Sequence, residues 1–308
     1  MADTRSKPNR DIVDSAVIND PTPLADSEPV VAEGSEISYA PQERETPAEA
    51  RQIFHVPARH NAKLQQLVAA INRDESLHQL WRCANVNAMD RSNMSDHGPV
   101  HIRIVANISL KLIRLLLQDN IEPAVVRDHG LGNEDAEVIV VLAAALHDIG
   151  MSIHRHEHET YSLILGAPKA RELLAGIYQE PELTIVTSET LHAVISHRSD
   201  ERTYTIEASA VKVGDALDMT QGRSRIPFEQ GAVNIHSLSA AAVERVIIRK
   251  GAEKPIRIEA VLNNSAGLFQ LDDLLRPKIA SSSITRYVEV EARIEGEIEK
   301  RLLPVYNI

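Results

Sequence analysis

Residues 138–146, Val-Ile-Val-Val-Leu-Ala-Ala-Ala-Leu, are apolar without interruption. Glu134, Asp135 and Glu137 precede them and His147-Asp148-Ile149-Gly150 follow. The stretch "EDAEVIVVLAAALHDIG" reads as a helix that is apolar nearly all round, with Gly150 as its expected C-terminal stop. Such a helix is stable only when other elements surround it, so it marks the centre of a domain. The constraint sharpens at its end, where the buried run delivers a His-Asp pair.

The flanking sequence supplies the surrounding helices. "NAKLQQLVAAI" places Leu64, Leu67, Val68 and Ile71 at helical spacing, and "ESLHQLWRCANVNAM" continues with Leu77, Leu80, Trp81 and Ala84. Residues 100–118 carry Ile104, Val105, Ile108, Leu112, Leu115 and Leu116 on one stripe. "PELTIVTSETLHAVISHR" and "IEASAVKVGDALDMT" are two further expected helices. Near residue 230 the period changes. "ERVIIRKGAEKPIRIEAVLNN" reads as a hairpin turning near Gly251, "AGLFQLDDLLRPKI" as a helix and "ITRYVEVEARI" as a strand. The expected fold is mainly α, a helical bundle over residues 51–228 with a small α+β unit over 229–308.

Residues 1–50 differ from both. They hold 6 of the 15 prolines and 11 acidic against 4 basic residues, which accounts for −7 of the chain's net charge of −11. A segment so poor in apolar periodicity is expected to be disordered. The remainder carries about −4, without the basic footprint of a general nucleic-acid binder. One cysteine, Cys83, excludes an internal disulfide framework and a multi-cysteine zinc site. No apolar run is long enough for a membrane span or a signal peptide, so a cytoplasmic protein is expected.

Chemistry-bearing residues recur at the ends of the apolar elements. His101 opens the helix after "SDHGPV", His147 and Asp148 close the central helix, His197 closes "ETLHAVISH", and Asp215 interrupts "VKVGDALDM". Burying any of these without a partner is costly. A lone histidine on an apolar helix is usually a satisfied structural residue, a His-Asp pair can cap a helix end, and Asp215 could pair with Arg223 or Arg225. The ordered series over successive helices instead points to one shared polar centre, the kind of convergence a metal ion needs.

The series of His, His-Asp, two further His and Asp resembles the HD superfamily of metal-dependent phosphohydrolases. His101 in "HIRIVA", His147-Asp148 in "LHDIG" and Asp215 in "VGDALD" match that family's mononuclear ligand set. His158 in "HETYSLIL" and His197 in "ISHR" match the additional histidines of its dinuclear members. The segment "ALDMTQGRSRIPFE" and the α+β unit after it also resemble an uncharacterised archaeal-type branch. The resemblance implies an HD-domain helical bundle, one or two divalent ions (Mn, Fe, Mg, Ni, Co or Zn), and hydrolysis of a phosphate ester as a phosphatase, phosphodiesterase or nucleotidase. Asp148 is then the natural bridging carboxylate and the central catalytic residue. The implied partner is a phosphate-containing small molecule, nucleotide-like in character. The alternative is a non-catalytic metal- or nucleotide-binding sensor.

Several neighbours remain open on sequence grounds. His154, His156 and His158 alternate, so they cannot share one helix face, and His156 competes with His158 as a ligand. His192 lies about 140° from His197 on a helix, which argues against joint ligation. His97 suits a turn, and His236 a structural role. Many family members follow "HDIG" with a lysine, whereas this chain has Met151, and it lacks the Gly-Tyr-Pro signature of cyclic-dinucleotide phosphodiesterases. Cations for a phosphate must therefore come from elsewhere. Arg223 and Arg225 are the candidates, because guanidinium matches phosphate oxygens. Asp218 could orient a ligand or pair with one of them. The α+β unit carries no chemical motif, and packing, homodimerisation or regulation are its expected roles.

Overall fold

The computed structural model describes residues 53–220, 239–295 and 305–307. The acidic N-terminal stretch, the expected boundary at 228/229, Arg223, Arg225 and His236 lie outside the described residues. The helical part comprises α1 (Ala62–Arg73), α2 (Glu75–Asn85), α3 (Pro99–Gln118), α4 (Ala124–His129), α5 (Asn133–Leu146), α6 (His158–Leu174), α7 (Glu182–Ser196) and α8 (Ile206–Leu217). Polar residues set where several of them begin. Asn61, Asp74 and Thr205 accept from Leu64, Leu77 and Ala208 N–H at α1, α2 and α8, satisfying donors the helices themselves leave open.

The central position expected for 134–150 is realised in α5. Every residue from Asp135 to Leu146 is buried, and α5 lies against α1, α3, α4, α6, α7 and α8. Its end departs from expectation. Gly150 is not a left-handed stop: His147 caps the helix in ordinary right-handed conformation, and Gly150 sits inside a short 3-10 turn, Ile149–Ser152. The glycine stop belongs to α4, where Gly130 has φ +69°. At Gly150 the requirement is space, because an added Cβ would overlap the His158 carbonyl oxygen and the Ser162 amide nitrogen at the start of α6. Gly214 does the same service between α8 and α3, where a Cβ would strike the Ser109 hydroxyl.

Two helices fall outside the periodic readings above. α4 is short, and α6 carries Pro168 in its interior with its apolar residues spread round the axis. The remaining helices follow the sequence reading, although α2 runs on into a π-helical turn, Val86–Arg91.

The C-terminal unit is a four-stranded sheet, β1 (Val243–Arg249), β2 (Ile256–Leu262), β3 (Val288–Ile294) and β4 (Val305–Asn307), in the order β1-β2-β3-β4. The hairpin is present as antiparallel β1–β2, and β3 then pairs parallel to β2. Parallel pairing requires a crossover. Here a π-helical turn, Gln270–Leu275, and a short α9 (Arg276–Ala280) supply it. The sheet packs on α3 through β1 and β2, α9 packs on α8, and one apolar cluster is continuous from the bundle into the sheet. Among the described residues, no helix is long and apolar enough to cross a membrane.

Candidate metal centre

The ends of the central helices converge on one buried point. His101 comes from the first turn of α3, His147 and Asp148 from the end of α5, His158 from the start of α6, His197 from the end of α7 and Asp215 from α8. All six are buried. His101 and His147 Nε2 lie 3.2 Å apart, and each is 3.3 Å from Asp148 Oδ2. Asp215 Oδ1 lies 3.4 Å from His101 Nε2 and 3.8 Å from His147 Nε2. The other oxygen of Asp148, Oδ1, faces His158 Nε2 at 3.2 Å and His197 Nε2 at 3.6 Å. Asp148 thus presents one oxygen to each of two histidine pairs.

The orientation of each ring is fixed on its far side. Nδ1 of His147 lies 2.8 Å from the Ala144 carbonyl oxygen, and Nδ1 of His197 lies 2.6 Å from that of Val194. These are carbonyls of the last helical turn, which have no partner within their helices, so each histidine caps its own helix while aiming Nε2 inward. His158 Nδ1 lies 3.1 Å from both the Arg155 carbonyl oxygen and Glu159 Oε2. His101 Nδ1 lies 2.6 Å from Asp218 Oδ2. At His101, His147 and His197 the oxygen acceptor beside Nδ1 selects, for the neutral ring, the tautomer whose Nε2 lone pair faces the cluster, whereas His158 Nδ1 also meets the Arg155 guanidinium Nη1 at 2.9 Å. The Trp81 indole N–H donates to the next carbonyl of α5, Ala145, at 2.8 Å and anchors the helix end that carries the His-Asp pair.

Electrostatics reinforce the grouping. Burial opposes charge on His147, but Asp148 and Asp215 outweigh it and raise its pKa to about 9. Burial and then the positive charge on His147 hold His197 down to about 3. Burial also opposes ionisation of Asp148 and Asp215, yet both carboxyls stay well below the usual range, Asp148 chiefly through His147 and Asp215 chiefly through Lys278. The positive charge that keeps these two buried carboxyls ionised comes from His147 and Lys278.

The donors fit divalent ions. His101, His147 and Asp215 form one group of buried donors within 4.8 Å of one another, and Asp148, His158 and His197 form a second. Nitrogen and oxygen ligands bound at roughly 2.0–2.2 Å around one ion stand about 3.0–3.6 Å apart, the range most of these pairs occupy. No thiolate takes part, since Cys83 is exposed.

The nearby histidines separate cleanly. His154 and His156 are exposed, whereas the left-handed Glu157 (φ +59°) turns the chain so that His158 enters the cluster. His192 is outside it, stacked on Tyr204 at 5.3 Å. His97 packs 5.6 Å from the His101 ring, with Nδ1 at the Ser95 carbonyl oxygen. Asp218 orients His101. Met151, directly after the His-Asp-Ile-Gly stretch, is buried against Ala84 and Ala88.

Two lysines escaped the sequence reading. Lys212 of α8 is buried and donates to the Arg198 and Glu201 carbonyls, tying the loop after His197 to α8. Burial, with Lys278 nearby, lowers its pKa to about 8. Lys278 of α9 reaches Asp215 Oδ2, 2.5 Å away. The missing cation at position 151 signalled a need, but nothing in the sequence ties "RPKIA" to "GDALD".

The HD domain family model matches residues 100–220, the segment that holds all six clustered side chains. An uncharacterised protein of Methanocaldococcus jannaschii, MJ1020, is 42% identical over 225 residues, covering 73% of this chain and 87% of that protein. Ribonuclease Y of Chloroflexus aurantiacus is 22% identical over 254 residues, covering 79% of this chain and 45% of that enzyme. No solved structure matches. With the family's His-Asp series gathered at one buried point, this chain belongs to the HD domain family.

Proposed function

We propose that the protein is a metal-dependent phosphohydrolase that cleaves a nucleotide-like phosphate ester. The observation that carries the reading is the two-sided placement of Asp148, with Oδ2 toward His101 and His147 and Oδ1 toward His158 and His197. In this reading His101, His147, Asp148 and Asp215 hold a first divalent ion, and Asp148, His158 and His197 hold a second. When bound, the ions supply Lewis acidity toward phosphate oxygens and lower the pKa of a coordinated water. The chain's own part is to hold six donors in register before substrate arrives, and to exclude bulk water from a centre where charge interactions are strong. Asp148 sets the spacing of the two positions, and the Nδ1 contacts of His101, His147 and His197 keep those imidazoles in the ligating tautomer.

The substrate reading rests on the same chemistry. A phosphate ester brings negative oxygens to a cationic centre, and the likeness to ribonuclease Y adds RNA phosphodiesters to the candidates. Metal analysis of the purified protein, followed by nitrophenyl phosphates, nucleotides and short RNA with Mn, Fe, Mg, Ni, Co and Zn, tests it. Turnover with at least one ion is expected. Bound metal with no turnover under any condition would replace the enzyme by a sensor module.

A prediction arises from the His101–Asp218 contact. Asp218→Asn keeps the shape but weakens the hold on the His101 tautomer. Metal affinity at the first position is expected to fall roughly 10- to 100-fold, as for other partners of metal-bound histidines. Competition against a chelator of known affinity measures it, and unchanged affinity would remove Asp218 from the centre.

A further inference from the structure

Lys278 is the feature of the centre that neither the family segment nor the ligand series accounts for. It lies in the C-terminal unit, beyond residues 100–220. Its ammonium meets Asp215 Oδ2, while Oδ1 of the same carboxylate faces His101 and His147. Lys278 therefore stands on the outer side of a candidate ligand. An ammonium has three donors, and Asp215 is its one acceptor among the described residues. Its side chain is 14% exposed, so it is neither sealed in the core nor free in solvent.

Its carrier is held firmly. At the end of α9, the Ser281 carbonyl accepts from Thr203 N–H, and Ser283 N–H donates to the hydroxyls of Thr203 and Ser209. Ser209 and Ser283 hydroxyls are themselves 2.8 Å apart. These contacts pin α9 to the N-terminal end of α8, the helix that bears Asp215. By contrast, Lys212 is committed to backbone carbonyls, and position 151 is a methionine buried in an apolar pocket.

We propose that Lys278 is the phosphate-binding cation of this centre, so that the C-terminal unit completes the site that the helical bundle begins. The inference rests on the phosphohydrolase reading and extends it. The ammonium keeps one N–H on Asp215 Oδ2 and offers the others to a phosphate oxygen beside the first ion position. It also offsets the charge that a phosphate dianion would bring next to the Asp215 carboxylate.

The test is binding of inorganic phosphate, measured calorimetrically, to Mn-loaded full-length protein and to its Lys278→Met and Lys278→Arg variants, with metal content per chain determined in parallel. Lys278→Met is expected to keep the wild-type metal content and lose phosphate affinity by roughly 10- to 100-fold, the usual worth of a hydrogen bond to a charged group. Lys278→Arg should recover most of the loss. Unchanged phosphate affinity in Lys278→Met would overturn the proposal. So would a parallel loss of metal, which would make the lysine a positioning residue for Asp215. Wild-type protein that takes up no metal would sink the functional reading itself. Wild-type turnover with an unaffected Lys278→Met would sink this inference alone.

Discussion

Asp148→Asn is expected to strip both ion positions and to lower kcat/KM by at least about 1,000-fold, several kcal/mol of transition-state stabilisation. The substitution preserves volume and one carbonyl oxygen, so packing around the end of α5 is retained. What disappears is the charge that both histidine pairs face, and with it the one group shared by the two positions. Metal analysis should show the distinction most clearly. Asp148→Asn loses ions from both groups, whereas His158→Ala loses only the second. Full metal content and activity in Asp148→Asn would dismantle the proposed centre. Circular dichroism on the same sample separates loss of ligation from loss of fold.

Gly150→Ala has the largest expected effect on stability. One methyl group would overlap two backbone atoms of α6, the His158 carbonyl oxygen and the Ser162 nitrogen, rather than the end of a movable side chain. Gly150 N–H also donates to the Ser162 hydroxyl at 2.9 Å, so the two segments cannot separate without losing that bond. Overpacking of this kind costs about 3 kcal/mol or more when backbone has to shift. For a chain of this size that corresponds to a fall in Tm of roughly 6–12 °C. Because the displaced backbone belongs to His158, occupancy of the second ion position should fall as well. A thermal scan with metal analysis checks both, and a Tm within a degree of wild type would show that the close approach is not needed.

The residues of the centre were legible because they violate a pattern. His101, His147, His197 and Asp215 are polar groups on or at the ends of apolar helices, where burial without partners is costly. That signal needs no knowledge of the fold. The choice between His156 and His158 was not legible, because it depends on a single left-handed residue, Glu157, that turns the chain by local geometry. The role of Gly150 was misread for a related reason. Sequence shows that a glycine follows a helix, but only packing shows that α6 runs against it. The bundle and the hairpin follow from periodicity, whereas the parallel β2–β3 pair does not, since strand direction is decided by the crossover. α6, with Pro168 and no clear stripe, is held by its neighbours more than by its own pattern. Lys278 is the extreme case, a contact between residues 63 positions apart and visible only in the assembled molecule.

The separation of the donors along the chain has a mechanical consequence. His101 and His147 are 46 residues apart, and Asp215 lies 68 residues beyond His147. An ion shared by these three closes two long loops, and one on Asp148 and His197 closes another of 49 residues. Linking distant points removes freedom mainly from the unfolded chain, as a disulfide does, and loops of this length are worth roughly 3–5 kcal/mol per link in that model. In a chain with a single cysteine, ions at these positions would be its cross-links. Chelation would then act on this protein much as a reducing agent acts on a secreted one, shortening its survival against proteases.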